Sequence, residues 1–219
     1  GYFVSLGGIV LWTVHNAISH DGKLFNVEQR LGQGVADLAS IIHVHSKRLL
    51  PILADFYDIA ESRVVVQQHP NFIGYHPDYV SRKIAREHHG YAETDKVFLF
   101  CGQLRPYKGI DDLVAAFTEI VRKDPNTHLL IVGKQVFPYS PGFLTQKFKG
   151  VKNLRIVEGH VGDADLQWYY KASDWVVLPY KNILTSGSLL CAMSFRQPCI
   201  APKLGMIPDI LKSSKNGFT

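Results

Sequence analysis

Cysteine is scarce in this chain, and long hydrophobic runs are missing from it. The three cysteines are Cys101, Cys191 and Cys199, and all lie in apolar stretches. An odd number without paired spacing argues against a disulfide framework and for a reducing compartment, so we expect a cytoplasmic protein. No apolar run approaches the roughly 18 to 20 residues that a membrane-spanning helix needs. The sequence therefore predicts neither a disulfide-stapled domain nor a membrane-spanning helix.

Internal repeats and low-complexity segments are also missing, and the composition is that of an ordinary globular protein with 46% hydrophobic and 20% charged residues. The net charge is +5 and the isoelectric point is about 9.0. Such a modest basic excess fits phosphate-bearing ligands, an anionic membrane surface, or no particular partner. The abrupt opening GYFVSLGG and closing KNGFT lead us to expect a piece of a longer chain.

Short apolar strands alternate with amphipathic helices along the whole chain. Strands are predicted over 9–14, 41–44, 63–66, 96–100, 128–132, 154–157, 175–178 and 199–201. Helices are predicted over 26–39, 47–57, 80–89, 109–123, 143–148, 164–172, 188–195 and 207–211. This alternation is typical of parallel sheets covered on both faces. We therefore predict doubly wound α/β domains, a partial one over residues 1–90 and a nearly complete one over 91–219.

The stretch CGQLRPYKGI directly follows a predicted strand and precedes a predicted helix. Gly102 allows a tight exit from the strand, and Pro106 stiffens the loop. Arg105 and Lys108 then stand next to the positive end of a helix dipole, which is an unfavourable place for cations. A bound anion would relieve the conflict, so the stretch is either a phosphate site or a solvated basic turn.

The stretch Thr185-Ser186-Gly187-Ser188 begins another predicted helix. Any one of its hydroxyls is a suitable helix cap. Three hydroxyls and a glycine exceed what one cap requires, and exposed N–H groups at a helix start form an anion site. Because ligands bind beyond the carboxyl ends of parallel strands, both stretches are expected at one sheet edge, where they would suit a diphosphate.

These motifs, taken in order, resemble the GT-B-fold retaining glycosyltransferases of family 4, the glycosyl transferases group 1. The similarity lies in GQLRPYKG, the run DADLQWYYKASDWVVLPY and the segment LLCAMSFRQPCIAPKLGMIPDIL, and it covers roughly residues 95 to 217. A weaker similarity is the strand end TVHN. The resemblance implies a GT-B-type fold with two Rossmann-like domains, an acceptor-side one and a nucleotide-sugar-binding one.

The resemblance also implies roles for individual residues. Lys108 matches the lysine that contacts the donor diphosphate, Arg105 takes the place of an arginine expected at Gln103, and His15 faces the transferring sugar. The catalytic candidates are His15, Arg105 and Lys108. The donor-binding candidates are Gly102, Gln103, Gly133, Lys134, His160, Val161, Asn182, Thr185, Ser186, Gly187 and Ser188, with Gly133, Lys134, His160 and Val161 near the nucleobase. His20 and Asp21 are expected on the acceptor side.

The chain departs from the family pattern where relatives carry an E-x7-E carboxylate pair. Its second position falls on Cys191 and its first near Ile183, so the sugar half of the site is either rebuilt from Tyr180, Lys181 and Asn182 or lost. Asp209 matches the acidic residue of the family's G-G-I-P-E segment. His43 and His45 are interpreted as structural rather than metal-binding. The basic residues interpreted as solvated helix faces are Lys47, Arg48, Arg82, Lys83 and Arg86.

The predicted function is sugar transfer from a nucleoside-diphosphate sugar to a glycan or polyprenyl-linked acceptor with retention of configuration, within polysaccharide biosynthesis. No cofactor, metal or nucleic acid is expected, because two cations and a helix dipole offset the diphosphate charge. Peripheral contact with the inner face of the membrane is expected. Two alternatives stay open: a catalytically silent module that binds nucleotide or a partner, and a related nucleotide-sugar epimerase or phosphorylase.

Overall fold

The computed structural model of the protein describes residues 2–17 and 24–219. The chain forms two compact units. The first unit contains Gly1–Pro70, Asn182–Ser186 and Leu204–Ile210, and the second contains Asn71–Lys181, Gly187–Lys203 and Leu211–Thr219. The two units are described separately below.

The described part of the first unit is built on three parallel strands in the order β1-β2-β3. Its elements are α1 (Tyr2–Ser5), β1 (Leu11–Thr13), α2 (Phe25–Leu38), β2 (Ile41–Val44), α3 (Leu49–Ala54), β3 (Val64–Val66) and α9 (Ile207–Ile210), with a 3₁₀ turn at Glu61–Arg63. The register pairs Trp12 with Ile42 and His43 with Val65. Its core packs β2 against α2 and α3, with Ile42, Ala36 and Leu53 all buried.

The second unit carries a six-stranded parallel sheet in the order β6-β5-β4-β7-β8-β9. Its strands are β4 (Lys96–Cys101), β5 (Thr127–Gly133), β6 (Leu154–Glu158), β7 (Trp175–Val177), β8 (Cys199–Ile200) and β9 (Gly217–Phe218). Its helices are α4 (Arg82–His89), α5 (Ile110–Lys123), α6 (Phe143–Lys147), α7 (Leu166–Ala172) and α8 (Gly187–Ser194), with a 3₁₀ turn at Pro106–Lys108.

Burial on both faces explains the sequence of the central strands. β5 reads THLLIVG, and only His128 of its residues is not fully buried. A strand covered by helices on both sides keeps apolar residues at every position, rather than at alternate ones. α5 covers one face with Leu113, Phe117 and Val121, spaced by about one helical turn.

The predicted parallel α/β architecture is confirmed, and most predicted elements are present with shifted ends. The strand expected from Ile9 begins at Leu11, although the Val10 carbonyl already accepts from Ser40 N and Ile41 N. The prediction omitted β9. The interpretation of Arg86 as a solvated residue is wrong, since its side chain is 1% exposed. The boundary at residue 90 remains a prediction about domains, whereas the compact units divide after Pro70.

Among the described residues, no helix combines the length and the apolarity that crossing a bilayer requires.

Candidate functional site

The strand order of the second unit reverses direction at β4. From β4 the chain adds β5 and β6 on one side, and then returns to place β7 on the other side. In an open parallel sheet, loops on the two sides of such a reversal leave the edge in opposite directions, and a crevice is expected between the loops after β4 and β7. Ligands of open parallel sheets bind at such a point. The geometry selects two loops, Gly102–Gly109 and Leu178–Lys181.

Lys108 lies at this crevice and its side chain is only 8% exposed. It ends the 3₁₀ turn that follows β4. Its Nζ lies 4.4 Å from the centre of the Tyr180 ring and 5.2 Å from that of Tyr107. Aromatic faces attract a cation but do not replace a counter-ion. Burial, followed by the nearby Arg105, lowers the pKa of Lys108 from 10.5 to about 8.

The carboxylates closest in sequence to Lys108 are paired with other lysines. Asp111 accepts from Lys147 Nζ at 2.7 Å, and Asp112 lies 3.1 Å from Lys181 Nζ. Within residues 2–17 and 24–219, no carboxylate forms an ion pair with Lys108. A buried ammonium group usually has such a partner, because its desolvation is costly. The surroundings of Lys108 are therefore those expected of a lysine that binds an anionic ligand.

Two glycines bring backbone segments together at the same sheet edge. Gly109 has φ +73°, and a Cβ there would overlap the Pro179 carbonyl. Gly133 has φ +152°, and a Cβ there would overlap the Gly102 carbonyl. Both positions combine a left-handed backbone with a close approach, so only glycine fits them without rearrangement. The β4, β5 and β7 loops meet at this edge because these side chains are absent.

The first turn of α8 lies beside the β4 loop. Ser188 Oγ is 3.0 Å from the position that a Cβ on Gly102 would take. Gly187 begins the helix, is exposed, and would meet no atom within 4 Å if it carried a Cβ. The α8 start thus leaves open space at Gly187, and its Ser188 lies beside Gly102. The preceding Ser186 is buried, which reduces the number of hydroxyls open to a ligand.

The other donor candidates of the second unit are spread along its sheet edge. Arg105 is half-buried and donates from Nε to Gln103 Oε1 at 3.1 Å. Lys134 and His160 are exposed, Val161 is half-buried, and they follow the paired strands β5 and β6. The structure therefore places Arg105 and Lys108 in one loop with Gly102, which lies beside Ser188, and joins Lys134 to this loop through the hydrogen bond from Leu104 N to its carbonyl at 2.9 Å. His160 and Val161 follow β6, on the far side of β5 from β4.

Glu158, at the end of β6, holds the loop that begins α6. It accepts from Gly142 N at 2.6 Å and from Thr145 N and Oγ1 at 3.1 and 2.6 Å. Burial acts to raise the pKa of Glu158, but these hydrogen bonds outweigh it and lower the pKa. This carboxylate is an anchor for the loop beside the expected nucleobase position.

The family's two carboxylate positions are apolar in this structure. Ile183 is buried, and Cys191 is half-buried with its pKa raised by burial. Two of the residues expected to rebuild the sugar side already have partners. The Tyr180 ring contacts Lys108 Nζ, and Lys181 forms an ion pair with Asp112. Lys181 and Asn182 are both exposed, and of these two Lys181 is paired with Asp112.

In the first unit, His15 follows β1 and is exposed. Its carbonyl accepts from Thr185 Oγ1 at 3.2 Å, so this hydroxyl is used to hold the β1 loop. Burial, then His69 and His43, lower the pKa of His15. His20 and Asp21, the expected acceptor-side residues, lie outside the described residues.

The carboxylate of Asp209, the acidic residue of the predicted motif, is held by two side chains of the first unit. Asp209 accepts from Ser46 Oγ and, at 2.5 Å, from Arg48 Nε. In the second unit, an Asp-x-Asp pair places Asp163 3.4 Å from His76 Nδ1, while Asp165 immediately precedes α7. Across the described residues, no group of three or more His, Cys, Asp or Glu side chains has the arrangement of a metal site.

Sequence reasoning missed the two aromatic rings around Lys108 as a site feature. A tyrosine stands beside the lysine after β4, and another follows the proline after β7. Their meeting depends on the strand order, which places β4 and β7 side by side.

A family model described as Glycosyl transferases group 1 matches residues 81–219. The chain is similar to a GDP-mannose:glycolipid 4-beta-D-mannosyltransferase of Xanthomonas campestris pv. campestris, with 32% identity over 104 residues, which are 48% of this chain and 29% of that protein. It is also similar to a D-inositol 3-phosphate glycosyltransferase of Corynebacterium efficiens, with 25% identity over 198 residues, or 85% of this chain and 46% of that protein. The chain thus spans less than half the length of these curated relatives.

Solved structures show the same fold. Anabaena Alr3699/HepE in complex with UDP and glucose superposes with a TM-score of 0.81 at 17% identity, covering 99% of this chain and 58% of that one. WaaG, a glycosyltransferase involved in lipopolysaccharide biosynthesis, gives a TM-score of 0.69 at 17% identity, covering 96% and 60% of the two chains. The predicted GT-B-type fold is confirmed by these likenesses.

Proposed function

Because the chain belongs to the glycosyl transferases group 1, we propose that the protein moves a sugar from a nucleoside-diphosphate sugar to a glycan or lipid-linked acceptor, with retention of configuration. The second unit supplies the donor site at the β4/β7 crevice. The observation that carries this proposal is Lys108, a buried ammonium group between two tyrosine rings in the turn that follows β4. A diphosphate is a ligand that suits such a site.

The proposed type of donor is supported by similar proteins. One similar structure is a complex with UDP and glucose, and one relative is named for GDP-mannose. The base and the sugar are therefore left open between these types of donor. Lys134, His160 and Val161 occupy the part of the sheet edge proposed for the nucleobase.

The proposed chemistry depends on stabilising the diphosphate as it leaves. Lys108 and Arg105 supply positive charge, and the α8 start supplies backbone donors, all fixed before the reaction begins. Preorganised charge of this kind takes the place of a metal ion, so none is included in the proposal. His15 is proposed to lie beside the transferring sugar.

The proposed acceptor is a glycan or a lipid-linked intermediate of polysaccharide assembly at the inner face of the membrane. A relative is named for a glycolipid acceptor, and a similar structure for lipopolysaccharide biosynthesis. The net charge of +5 favours an anionic membrane surface, and the unpaired cysteines favour a cytoplasmic location.

Replacing Lys108 by Met tests the donor site, since methionine fills a similar volume without the charge. We expect UDP and GDP to bind roughly 10- to 150-fold more weakly, which corresponds to about 1.5–3 kcal/mol for a hydrogen bond to a charged group. Isothermal titration calorimetry on the full-length protein measures the change. Lys152→Met, at an exposed lysine remote from the crevice, is the matched control and should bind as the wild type does.

If Lys108→Met binds UDP and GDP as tightly as the wild type does, the diphosphate binds elsewhere. A loss for the nucleosides uridine and guanosine as large as that for the diphosphates would indicate a damaged fold rather than a missing charge.

A second candidate is a module that binds nucleotide without transferring sugar. Apolar Ile183 and half-buried Cys191 at the two carboxylate positions favour it, because neither can accept a hydrogen bond from sugar hydroxyls as a carboxylate does. A donor-hydrolysis assay on the full-length protein with UDP- and GDP-sugars separates the two. Turnover supports the transferase, and intact nucleotide binding without any turnover supports the module.

A further inference from the structure

The first unit concentrates histidine at one edge of its sheet. His15, His45 and His69 follow β1, β2 and β3 in turn, and His43 lies on β2 itself. Because the three strands are parallel, these side chains share the carboxyl edge of the sheet. That edge is where ligands of parallel α/β units bind.

His45 is the centre of this histidine cluster, which consists of His15, His43, His45 and His69. Its ring centroid lies 4.7 Å from those of His43 and His69 and 5.1 Å from that of His15. The His15 and His69 centroids are 6.4 Å apart. His45 is 6% exposed, while His15 is exposed and the other two are half-buried. One buried imidazole thus lies beneath three more accessible ones.

Hydrogen bonds fix the protonation pattern of the two inner rings. The Gln67 carbonyl lies 3.1 Å from His43 Nε2 and 3.4 Å from His45 Nδ1, and a carbonyl can only accept. The proton of neutral His45 is therefore on Nδ1. Its Nε2 is buried and meets no hydrogen-bond partner among the described residues. Protonation of His45 would turn Nε2 into a buried donor that requires an acceptor.

The charged neighbours that act on His15 and His45 are other histidines. Burial, followed by neighbouring histidines, lowers the pKa of both His15 and His45, and the Gln67 carbonyl opposes this only for His45. No carboxylate contributes to either pKa among the described residues. Nearby on the chain, Arg48 is paired with Asp209, which also accepts from Ser46.

No described group of three or more potential ligands has a metal-binding arrangement, so the proposal includes no metal ion. A dianion is a ligand that several clustered imidazoles can attract, because each can become a charged donor. A phosphoryl group offers three outer oxygens to donors from several directions, whereas a carboxylate offers two.

We propose that the histidine cluster binds a phosphoryl group carried by the acceptor substrate. This inference rests on the proposed function, since it assigns the acceptor of that transfer reaction to the class of phosphorylated compounds. The phosphoryl group belongs either to a soluble sugar phosphate or to the head of a phosphorylated lipid. Anion binding and protonation of the cluster are coupled, so each strengthens the other.

The direct test is a histidine-detected NMR titration of the full-length wild-type protein with sodium sulfate, against sodium chloride at matched ionic strength. Sulfate is a tetrahedral dianion whose charge is constant across the pH range used. We expect sulfate to shift the ring resonances of His15, His45 and His69 and to raise the pKa values of His15 and His45 by about one unit. Exposed His160 of the second unit is the internal control and should respond equally to both salts.

The pH dependence of sulfate binding follows from this coupling. Affinity should be highest at low pH, where His15 and His45 are charged, and should fall as pH rises through their sulfate-bound pKa values, by about tenfold in total for each pKa that sulfate raises by one unit. A cluster that shifts no more than His160, or binds sulfate equally at all pH values, would overturn the proposal. Selective loss of the response in His45→Gln, with the fold intact by NMR, would support it.

Two further probes distinguish the sources of the phosphoryl group. Glucose 6-phosphate tests a soluble sugar phosphate, and phosphatidylcholine vesicles with and without phosphatidic acid test a lipid phosphate. A cluster response to either supports the proposal, and no response to either probe or to sulfate contradicts it. UDP and GDP binding measured in the same sample reports on the Lys108 site, so failure of the donor proposal is seen separately.

Discussion

Lys108 illustrates how a residue that binds a ligand can lower the stability of the ligand-free protein. Its ammonium group is 8% exposed, and its pKa is lowered from 10.5 to about 8 by burial and then by Arg105. A base with a depressed folded-state pKa binds protons more weakly when folded than when unfolded. The buried charge therefore lowers the free energy of unfolding below about pH 8, and this loss disappears as pH rises towards 10.5.

Lys108→Met should consequently stabilise the ligand-free protein at neutral pH while it weakens nucleotide binding. Removing the buried charge should raise the free energy of unfolding by on the order of 1–3 kcal/mol, and the gain should shrink as pH rises from 8 towards 10.5. Urea denaturation at a series of pH values measures this. Lys152→Met should stay within about 0.5 kcal/mol of the wild type. A Lys108→Met protein less stable than the wild type at pH 7 would contradict the uncompensated charge.

At the scale of elements, α4 shows why a basic helix can be part of a core. Ser81 caps its start by accepting from Ile84 N, and Gly90 ends it in a left-handed conformation at φ +77°. Between them Arg86 is 1% exposed, although Arg82 is exposed. The guanidinium of Arg86 donates to the Asp174 carboxylate at 2.9 Å and to the carbonyls of Ala92, Glu93, Asp95 and Ala172.

These contacts join α4 to the segment before β4 and to the end of α7, so Arg86 fastens three elements at once. Arg86→Met removes the buried partner of Asp174 and leaves several carbonyls without a donor. We expect a loss of about 3 kcal/mol in the free energy of unfolding, measured by urea denaturation. Arg82→Met is a control on the same carboxylate, at 2.5 Å, and should cost less than about 1 kcal/mol because Arg82 is solvated. Equal losses in the two variants would contradict the role given to burial.

At the scale of the whole molecule, the two units are expected to respond differently to nucleotide. The proposed donor groups Gly102, Arg105, Lys108 and Ser188 all belong to the second unit. Ligand binding to the native state suppresses local opening around the site. Hydrogen–deuterium exchange with saturating UDP or GDP should slow most in peptides that cover 101–110 and 187–194. Peptides covering 41–44 of the first unit should change least, and protection confined to that unit would contradict the donor assignment.

How far each scale could be predicted depends on the range of the interactions. Apolar periodicity predicted the strands and helices, because burial on both faces leaves its pattern within each segment. The burial of Arg86 could not be predicted from its helix alone, because the carbonyls that surround it come from residues 92–95 and from α7. Strand ends shifted by a few residues, because pairing partners rather than local sequence set where a strand stops.

The sequence by itself determined the α/β class, the family, and the identity of Lys108 and of the α8 start as anion-binding candidates, since these depend on residue types in local order. Only the tertiary structure decided that Lys108 is buried between Tyr107 and Tyr180, with no carboxylate partner in the part of the chain that the structure describes. It also decided that four histidines from three strands form one cluster. The physical reason is the same in both cases: parallel strands bring their carboxyl ends together in an order that the linear sequence does not display.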